Sequence, residues 1–405
     1  VTGSVSTTGQ CTTNVAGQCD FTYSGPTAPG ADAITAFADT NNNGTQNAGE
    51  PAGAAQKTWT PGAPATLTLE PAADTNTAGD EHCVTATVRD AFGNPVPGVT
   101  VRFSVTGVHS ENGSDATDAN GEAVFCYTGT VAGVDAISAF ADTNDDETQN
   151  VGEPFGGATK TWTPGAPATL TLTPAADENT VGDEHCVTAT VRDAFGNLVP
   201  GVTVRFSVPT SVATFASPSS GADVTDANGE ATFCYSASLP GEDVIHAFAD
   251  TNNNGTQNAG EPFGDATKTW TPPASTEFCE VKITQGGWII ANNGDRASFG
   301  GNAKVSADGS SVQGQQQYQD HGPAQPRNVH SIELMATTCS EDLTSATIFG
   351  TATINGSGTF VFRIDVTDQG QPGTNDSYGI MLSDGYASGQ KQLRGGNVTI
   401  HKLPS

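Results

Sequence analysis

Residues 83–105, CVTATVRDAFGNPVPGVTVRFSV, decide the fold, because this stretch reads as two short strands joined by a turn. Val84, Ala86 and Val88 alternate with polar side chains, which is the period of two expected for a half-buried strand. The middle of the stretch, DAFGNPVPG, holds Gly-Asn-Pro and Pro-Gly and therefore predicts a turn. Alternation resumes at Val99. The stretch indicates β-structure, and no long segment of the chain shows the apolar spacing of a helix.

The same stretch returns at residues 186–208 as CVTATVRDAFGNLVPGVTVRFSV, within a longer internal repeat. Residues 65–163 recur as residues 168–271, and repetition of this kind reports directly on architecture. Each copy predicts about seven short strands separated by turns, over roughly 100 residues, which is typical of an Ig-like β-sandwich. The sequence therefore predicts an all-β protein, with tandem Ig-like β-sandwiches and a C-terminal β-rich domain.

The sequence divides into four predicted segments. Residues 64–166 and 167–273 are the full repeats, and residues 278–405 form a different β-rich domain. Residues 1–63 correspond only to the later half of a repeat and lack the strands that would complete a sandwich. Three explanations stay open: the sequence is a truncated or processed part of a longer chain, the segment is an unusual small fold, or a strand from another subunit completes the sandwich. The strand-like residues 396–402, GNVTIHK, suggest head-to-tail assembly.

The acidic composition excludes some classes of binding partner. The 405 residues include 44 acidic and 15 basic side chains, for a formal charge of -29. A chain of this charge is repelled by nucleic acid and by anionic membrane surfaces, and it is suited to binding cations. No run of about 18 apolar residues is present, so we expect no membrane span in this chain.

Cysteine usage indicates an oxidising compartment. Eight cysteines without a Cys-x-x-Cys pair favour disulfides over zinc or redox chemistry. The protein is therefore expected to be secreted or displayed at the cell surface. The repetition of one pair in each full repeat predicts bridges within the repeats, and the remaining cysteines pair with their nearest neighbours. The predicted bridges are Cys11–Cys19, Cys83–Cys126, Cys186–Cys234 and Cys279–Cys339.

A twelve-residue motif occurs three times, at residues 39–50, 142–153 and 250–261. Oxygen-bearing residues at positions 1, 3, 5 and 9 and Glu at position 12 match the calcium loop of EF-hands, in which Gly at position 6 allows a sharp turn. The second copy departs from the pattern, with Glu147 at position 6. The interpretation without metal is an Asn- and Gly-rich hairpin loop. The predicted structural Ca²⁺ ligands are Asp39, Asn41, Asn43, Thr45, Asn47 and Glu50; Asp142, Asn144, Asp146, Thr148, Asn150 and Glu153; and Asp250, Asn252, Asn254, Thr256, Asn258 and Glu261.

Two family resemblances follow from these motifs. The run at residues 83–105, together with TDANGEAVFCY at residues 117–127, resembles the bacterial Ig-like domain of intimin and invasin type. That resemblance implies extracellular stalks and brings no catalytic residues. The twelve-residue motifs look like the D-x-N-x-N-G calcium loops of bacterial surface β-domains. GGWI (286–289), QYQDHG (317–322) and GGNVTIHK (395–402) resemble the post-COAP domain of secreted bacterial proteins, which implies little about activity.

The sequence favours a non-enzymatic structural protein. No Gly-x-Ser-x-Gly, His-Glu-x-x-His or phosphate-binding loop is present. We expect a bacterial surface stalk, adhesin or filament subunit that self-associates into an extracellular fibre. The alternatives are a surface- or glycan-binding tip formed by the C-terminal domain, and an accessory region of a secreted hydrolase. Four residues of that domain could form an acid–base or metal cluster, although structural hydrogen bonding is the favoured interpretation: Asp320, His321, His330 and His401.

Overall fold

The computed structural model describes residues 1–274, 281–306, 311–323 and 326–402. Within these residues the regular structure is almost entirely β, arranged in six sheets. The chain separates into two compact units, residues 1–165 and 166–405. Among the described residues, no helix has the length and apolar character needed to span a lipid bilayer.

Residues 1–63 form a single antiparallel sheet rather than a sandwich. Its central strand pairs with a very short strand on one side and a long strand on the other. In the described part of the chain the long strand has no further neighbour, so it is an edge. The strands are β1 (Thr2–Gly3), β2 (Gly30–Phe37) and β3 (Ala52–Trp59), in the order β1-β2-β3.

The first full repeat is a two-layer sandwich with eight strands, one more than the sequence pattern predicts. One sheet has the order β4-β6-β9 and the other has the order β5-β11-β10-β7-β8, in which β5 and β11 pair in parallel. The strands are β4 (Pro64–Glu70), β5 (Ala73–Thr77), β6 (Glu81–Asp90), β7 (Thr100–Gly107), β8 (Glu111–Ala116), β9 (Glu122–Thr128), β10 (Gly133–Asp142) and β11 (Phe155–Thr163).

The predicted alternation places the core of this repeat. Val84, Ala86 and Val88 on β6 are fully buried between the two sheets. Phe103 from the facing sheet packs into the same core. Burying an aliphatic or aromatic side chain of this size contributes about 1.5–3 kcal/mol. The polar residues between the core positions face outward, as a half-buried antiparallel sheet requires.

The second full repeat has the same two sheets, in the orders β12-β14-β17 and β13-β19-β18-β15-β16. The loop at residues 208–219, which is longer than its counterpart at residues 108–110 in the first repeat, contains one short helix. The elements are β12 (Thr169–Thr173), β13 (Ala176–Thr180), β14 (His185–Arg192), β15 (Thr203–Ser207), α1 (Ser211–Thr214), β16 (Ser220–Val224), β17 (Glu230–Tyr235), β18 (Gly241–Ala249) and β19 (Phe263–Thr271).

The C-terminal domain is one nine-stranded antiparallel sheet, mostly a meander, in the order β27-β26-β25-β24-β23-β22-β21-β20-β28. Its apolar side chains form one core, in which the rings of Phe299 and Tyr378 stack at 3.9 Å. The strands are β20 (Val281–Ile290), β21 (Arg296–Val305), β22 (Val312–Asp320), β23 (Arg327–Cys339), β24 (Ser345–Ile354), β25 (Ser357–Thr367), β26 (Ser377–Leu382), β27 (Lys391–Gln392) and β28 (Gly395–Lys402), and a 3-10 helix spans Gly373–Asn375.

The strand-like segment at residues 396–402 is part of the C-terminal sheet. It belongs to β28, which pairs with β20 along its length. On its other edge, the Val398 N–H donates to Asp376 Oδ2 at 2.8 Å, and the Ile400 N–H donates to Asp368 Oδ2 at 2.9 Å. Two N–H groups of the outer edge therefore have acceptors within this domain, and the head-to-tail assembly that the sequence suggests for this segment stays a prediction.

Candidate functional site

The three predicted calcium loops occupy the same place in each unit. They connect β2 to β3, β10 to β11 and β18 to β19, which are neighbouring antiparallel strands. Each loop begins as its first strand ends, so an acidic residue lies at the edge of the sheet. Because no helix flanks any of them within the described residues, the loops are hairpin connections rather than EF-hands.

The aspartate that opens each loop accepts backbone hydrogen bonds from the turn that follows. The Asp39 oxygens lie 3.1 Å from the Asn43 nitrogen and 2.7 Å from the Gly44 nitrogen. The same pair of contacts recurs around Asp142 and Asp250. These N–H groups stabilise the ionised carboxylate and hold the turn closed around it.

The glutamate that ends each loop has a similar role. Glu50 Oε2 accepts the Asn47 N–H at 2.8 Å, and its Oε1 accepts the Thr40 N–H at 2.9 Å. The contacts are repeated at Glu153 and Glu261. Hydrogen bonds lower the pKa of all three glutamates, and the largest contribution comes from the backbone N–H of the asparagine at position 9. The glutamate at the end of each loop is therefore ionised at neutral pH.

Position 6 requires a left-handed backbone in every copy. Gly44 and Gly255 have φ values of 75° and 82°, and Glu147 has a φ of 67°. The second loop thus keeps the same turn although Glu147 stands in place of glycine. Residues with a side chain are disfavoured in this left-handed conformation. The Glu147 carboxylate lies 3.5 Å from Arg102 Nη2, and this ion pair offsets part of the conformational cost at Glu147.

In two of the loops, an arginine guanidinium group already lies beside the opening aspartate. Arg102 Nε lies 2.5 Å from Asp142 Oδ2, and Arg205 Nε lies 2.5 Å from Asp250 Oδ2. These contacts are the main cause of the lowered pKa of Asp142 and Asp250. Among the ion pairs of the described residues, Asp39 has no arginine. The first loop is therefore the one in which a metal ion would not share its aspartate with a guanidinium group.

The donor set of the first loop fits a hard cation. Calcium accepts neutral amide and carbonyl oxygens as well as carboxylates, and the side chains of Asp39, Asn43 and Glu50 bring both kinds of oxygen into one loop. The Thr45 carbonyl, which the sequence predicts as a ligand, accepts a hydrogen bond from Asn47 Nδ2 at 2.6 Å. That amide group would turn away to release the oxygen to a metal ion.

A second buried polar site was missed by the sequence analysis. Asp135 on β10 is completely buried and accepts hydrogen bonds from Trp162 Nε1 at 2.8 Å and from the Tyr127 hydroxyl at 3.1 Å. The equivalent Asp32 and Asp243 also accept the indole N–H of a tryptophan. The signal in the sequence was the recurrence of one aspartate and one Lys-Thr-Trp triplet in all three units.

The cysteine bridges lie on the outer face of the sandwiches. Cys83 on β6 is directly opposite Cys126 on β9, with their Cα atoms 4.0 Å apart. The first bridge closes a loop in the N-terminal unit, and the structure contains the pairings expected for the first six cysteines. Cys279 lies outside the described residues, so its bridge to Cys339 stays a prediction. The bridges present are Cys11–Cys19, Cys83–Cys126 and Cys186–Cys234.

The described residues of the C-terminal domain contain no group of three potential metal ligands close together. Asp320 accepts a hydrogen bond from the Tyr386 hydroxyl at 2.8 Å, and His321 Nε2 lies 2.7 Å from Ser298 Oγ. Across all described residues, one group of three potential ligands occurs, and it lies in the second full repeat. It includes Cys186 and Cys234, which form a disulfide and therefore offer no thiolate. These contacts fit structural roles for Asp320 and His321, while His330 lies on β23 and His401 lies on β28.

Comparison with known proteins places the two full repeats in a family. The bacterial Ig-like domain (group 1) matches residues 64–155 and 168–261. The inverse autotransporter adhesin YeeJ of Escherichia coli (strain K12) is 32% identical over 204 residues, which are 47% of this chain and 8% of that adhesin. The chain thus spans a small part of this relative's length. The match to the family does not extend to the C-terminal domain, whose resemblance to post-COAP stays a prediction.

Two solved adhesin structures are also similar. The Escherichia coli adhesin FdeC has 16% identity and a TM-score of 0.35, with 84% of this chain and 98% of that chain covered. InvD of Yersinia pseudotuberculosis has 18% identity and a TM-score of 0.33, with 73% of this chain and 96% of that chain covered. The family match shows that this chain contains two bacterial Ig-like domains of group 1 in tandem.

Proposed function

We propose that this chain, with its two bacterial Ig-like domains in tandem, is a structural part of an adhesin-type protein at a bacterial surface. The observation that carries the proposal is the shared sequence between these domains and an inverse autotransporter adhesin. The disulfides and the strongly acidic composition support an extracytoplasmic location. In this role the chain carries no catalytic activity and positions other parts of the protein away from the cell.

An adherence assay tests this proposal. A strain that lacks the gene is compared with the parent strain and with a complemented strain, and retention on an abiotic or host-cell surface is measured. We expect the deletion to reduce retention and complementation to restore it. Equal retention of the three strains, with expression confirmed by immunoblot, would contradict an adhesin-type role.

We further propose that the loops bind structural calcium and that the first loop binds it best. Asp39 and Glu50 provide carboxylates in a loop without a competing arginine, which supports this order. With two carboxylates the affinity is expected in the extracellular range, about 10⁻⁴–10⁻³ M. Calcium would tie the two ends of each hairpin loop together and limit its motion.

Calorimetric titration with calcium tests the metal proposal. Glu50→Gln removes a terminal carboxylate without changing the size of the side chain, so we expect it to abolish one binding site, and Glu261→Gln should abolish another. Glu81→Gln, at an exposed position on β6, is the matched control and should leave binding unchanged. Binding isotherms of the loop variants that match the parent would refute the assignment.

We propose that a strand from a neighbouring subunit completes the N-terminal unit and that the protein assembles into a fibre. Ala36 and Ala55 are exposed on the face that a second sheet would cover, whereas the equivalent Ala139 and Ala158 are only 2% and 8% exposed. The alternative source of the missing strands is a preceding part of the same polypeptide. Electron microscopy of the purified chain distinguishes these cases: fibres support subunit addition, and discrete particles at all concentrations contradict it.

A further inference from the structure

Each full repeat buries the ammonium group of a lysine in its sandwich core. Lys160 on β11 and Lys268 on β19 are 0% exposed. Removing an ammonium group from water costs several kcal/mol unless specific partners compensate it. These lysines are not part of the loops or of the bridges described above, so their surroundings need a separate explanation.

An aspartate lies directly beside each lysine. The parallel pairing of β5 with β11 places Asp74 next to Lys160 in register, with Lys160 Nζ 2.5 Å from Asp74 Oδ2. In the second repeat, Lys268 Nζ lies 2.6 Å from Asp177 Oδ2. The two members of each pair are 86 and 91 residues apart in the chain. Each contact therefore joins a strand near the beginning of the repeat to its last strand.

A histidine from the opposite sheet touches the same carboxylate oxygen. His82 Nδ1 lies 3.2 Å from Asp74 Oδ2, and His185 Nδ1 lies 3.1 Å from Asp177 Oδ2. Both histidines are 4% exposed, so the ring reaches the pair from inside the core. A titratable ring in contact with a carboxylate oxygen can carry protons to or from it.

A tryptophan holds each lysine in place. Lys160 Nζ lies 4.9 Å from the centre of the Trp162 ring, and Lys268 Nζ lies 5.0 Å from the Trp270 ring. The indole of Trp162 is itself fixed by its hydrogen bond to the buried Asp135. The amine is thus confined against an aromatic wall, with its nitrogen directed at the aspartate, which is the arrangement that favours reaction between two bound groups.

We propose that Lys160 is joined to Asp74, and Lys268 to Asp177, by an amide bond between the side chains. One ammonium proton first passes to His82 or His185, and the neutral lysine nitrogen then attacks Cγ of the aspartate, so a C–N bond forms and a C–O bond breaks. The histidine passes that proton to the departing oxygen, a second proton leaves the nitrogen for the same oxygen, and the oxygen departs as water. Ammonium and carboxylate together contain the atoms of one amide and one water, so the step needs no oxidant or other reactant.

The site offers a path for the water that is released. The side chain of Asp74 is 38% exposed although its lysine partner is fully buried, and Asp177 has the same 38% exposure. The oxygen can therefore leave toward solvent while the amine stays shielded. The resulting bond would clamp the first and last strands of one sheet together. This inference rests on the core of each repeat and is independent of the surface role proposed above.

The mass of the intact full-length chain, measured after reduction and denaturation, tests the inference. Each bond removes one water, so we expect the mass to fall short of the sequence value by about 36 Da, or about 18 Da for each repeat. Lys160→Arg keeps the positive charge but removes the nucleophile, so the deficit should fall to about 18 Da. The variant with both Lys160→Arg and Lys268→Arg should show no deficit.

Lys57→Arg is the matched control. Lys57 lies 5.0 Å from the Trp59 ring but takes part in no ion pair of the described residues, so this change should leave the deficit intact. Tryptic mapping should recover a branched peptide that contains both Lys160 and Asp74. A full mass for the unmodified chain, which would mean ion pairs only, or a deficit that maps to other residues would overturn the proposal.

Discussion

At the scale of single residues, each sandwich depends on a carboxylate that is buried because several donors converge on it. Asp135 is the clearest example, since an indole, a phenol and the ring of His109 all reach its side chain. A buried charge is tolerated only when its hydrogen bonds are satisfied. Removing the carboxylate leaves the buried donors without a partner. An unsatisfied buried donor costs more free energy than the hydrogen bond contributes, so the loss of this small side chain should strongly lower stability.

Asp135→Ala is therefore expected to destabilise the first repeat strongly. The Trp162 N–H and the Tyr127 hydroxyl would lose their acceptor, and each unsatisfied buried donor costs about 1–3 kcal/mol, so the expected loss is roughly 3–5 kcal/mol. Urea unfolding of the full chain measures it. Glu111→Ala, at an exposed position on β8, is the control and should change stability by less than about 0.5 kcal/mol. Equal midpoints for the two variants would contradict this role.

A second residue-scale prediction concerns acid. The Asn94 side chain, together with backbone N–H groups, lowers the pKa of Asp90 to about 2. In the unfolded chain its pKa is about 3.9, so its contribution to stability is present above that pH and is lost as the pH falls through about 2. Urea midpoints measured from pH 5 to pH 2 should fall less steeply for Asp90→Asn than for the parent. Parallel curves would show that this carboxylate is not responsible.

A third prediction concerns the left-handed position in the second loop. Glu147→Gly should relieve the cost of a side chain at positive φ, while glycine adds unfolded-state entropy, for a net gain of about 0.5–1 kcal/mol. The exposed contact with Arg102 is worth little. Gly255→Ala, at the equivalent position in the third loop, should shift stability in the opposite direction. Thermal unfolding of both variants checks the signs, and a destabilised Glu147→Gly would contradict the account.

At the scale of strands and loops, the disulfide of each full repeat connects neighbouring strands within one sheet, whereas the N-terminal bridge closes a short loop. Cys83 and Cys126 are 43 residues apart, and Cys11 and Cys19 are 8 residues apart. In the chain-entropy description, a cross-link stabilises by restricting the unfolded chain, and the effect grows with the length of the closed loop. The bridge of a full repeat should therefore contribute more than the short bridge of the N-terminal unit.

Replacing both Cys83 and Cys126 by Ala should lower the free energy of unfolding of the first repeat by roughly 4 kcal/mol. Replacing Cys11 and Cys19 should cost roughly 2.5 kcal/mol. Denaturant unfolding of the two double variants, compared with the parent, measures the difference. A larger effect for the short bridge would mean that loop length does not govern these contributions.

Strand patterns explain what the sequence could and could not predict. The strand at residues 81–90 was evident because its inward positions are apolar and its outward positions are polar. Residues 73–77, ADTNT, and residues 111–116, ENGSDA, have no such pattern. They become strands because they pair with β11 and β7, and such tertiary context overrides local preference.

The candidate sites divide in the same way. The three loops that are proposed to bind calcium are predictable because their oxygens follow one another within twelve residues. Arg102 and Asp142 are 40 residues apart, and Asp74 and Lys160 are 86 residues apart. Contacts at these separations depend on strand order and register, which the repeat pattern alone did not reveal. The arginine beside the aspartate of the second loop and the buried lysine–aspartate contact were therefore visible only in the fold.

At the scale of the whole molecule, the chain combines a strong negative charge with repeated β-domains. The formal charge of -29 disfavours association with other acidic surfaces and favours solubility outside the cell. The buried polar pairs, the disulfides and the loops all lie within individual domains. A protein built in this way gains length by adding domains, as repeat proteins do, and this is the property that a surface stalk requires.

Immunogold electron microscopy of intact bacteria tests the central claim most directly. Antibodies raised against the repeats at residues 64–273 are applied to unpermeabilised cells that make the protein, with a gene-deleted strain as the control. The account predicts gold particles outside the cell envelope of the producing strain and none on the deleted strain. Label that appears only after the cells are permeabilised would contradict a role at the bacterial surface.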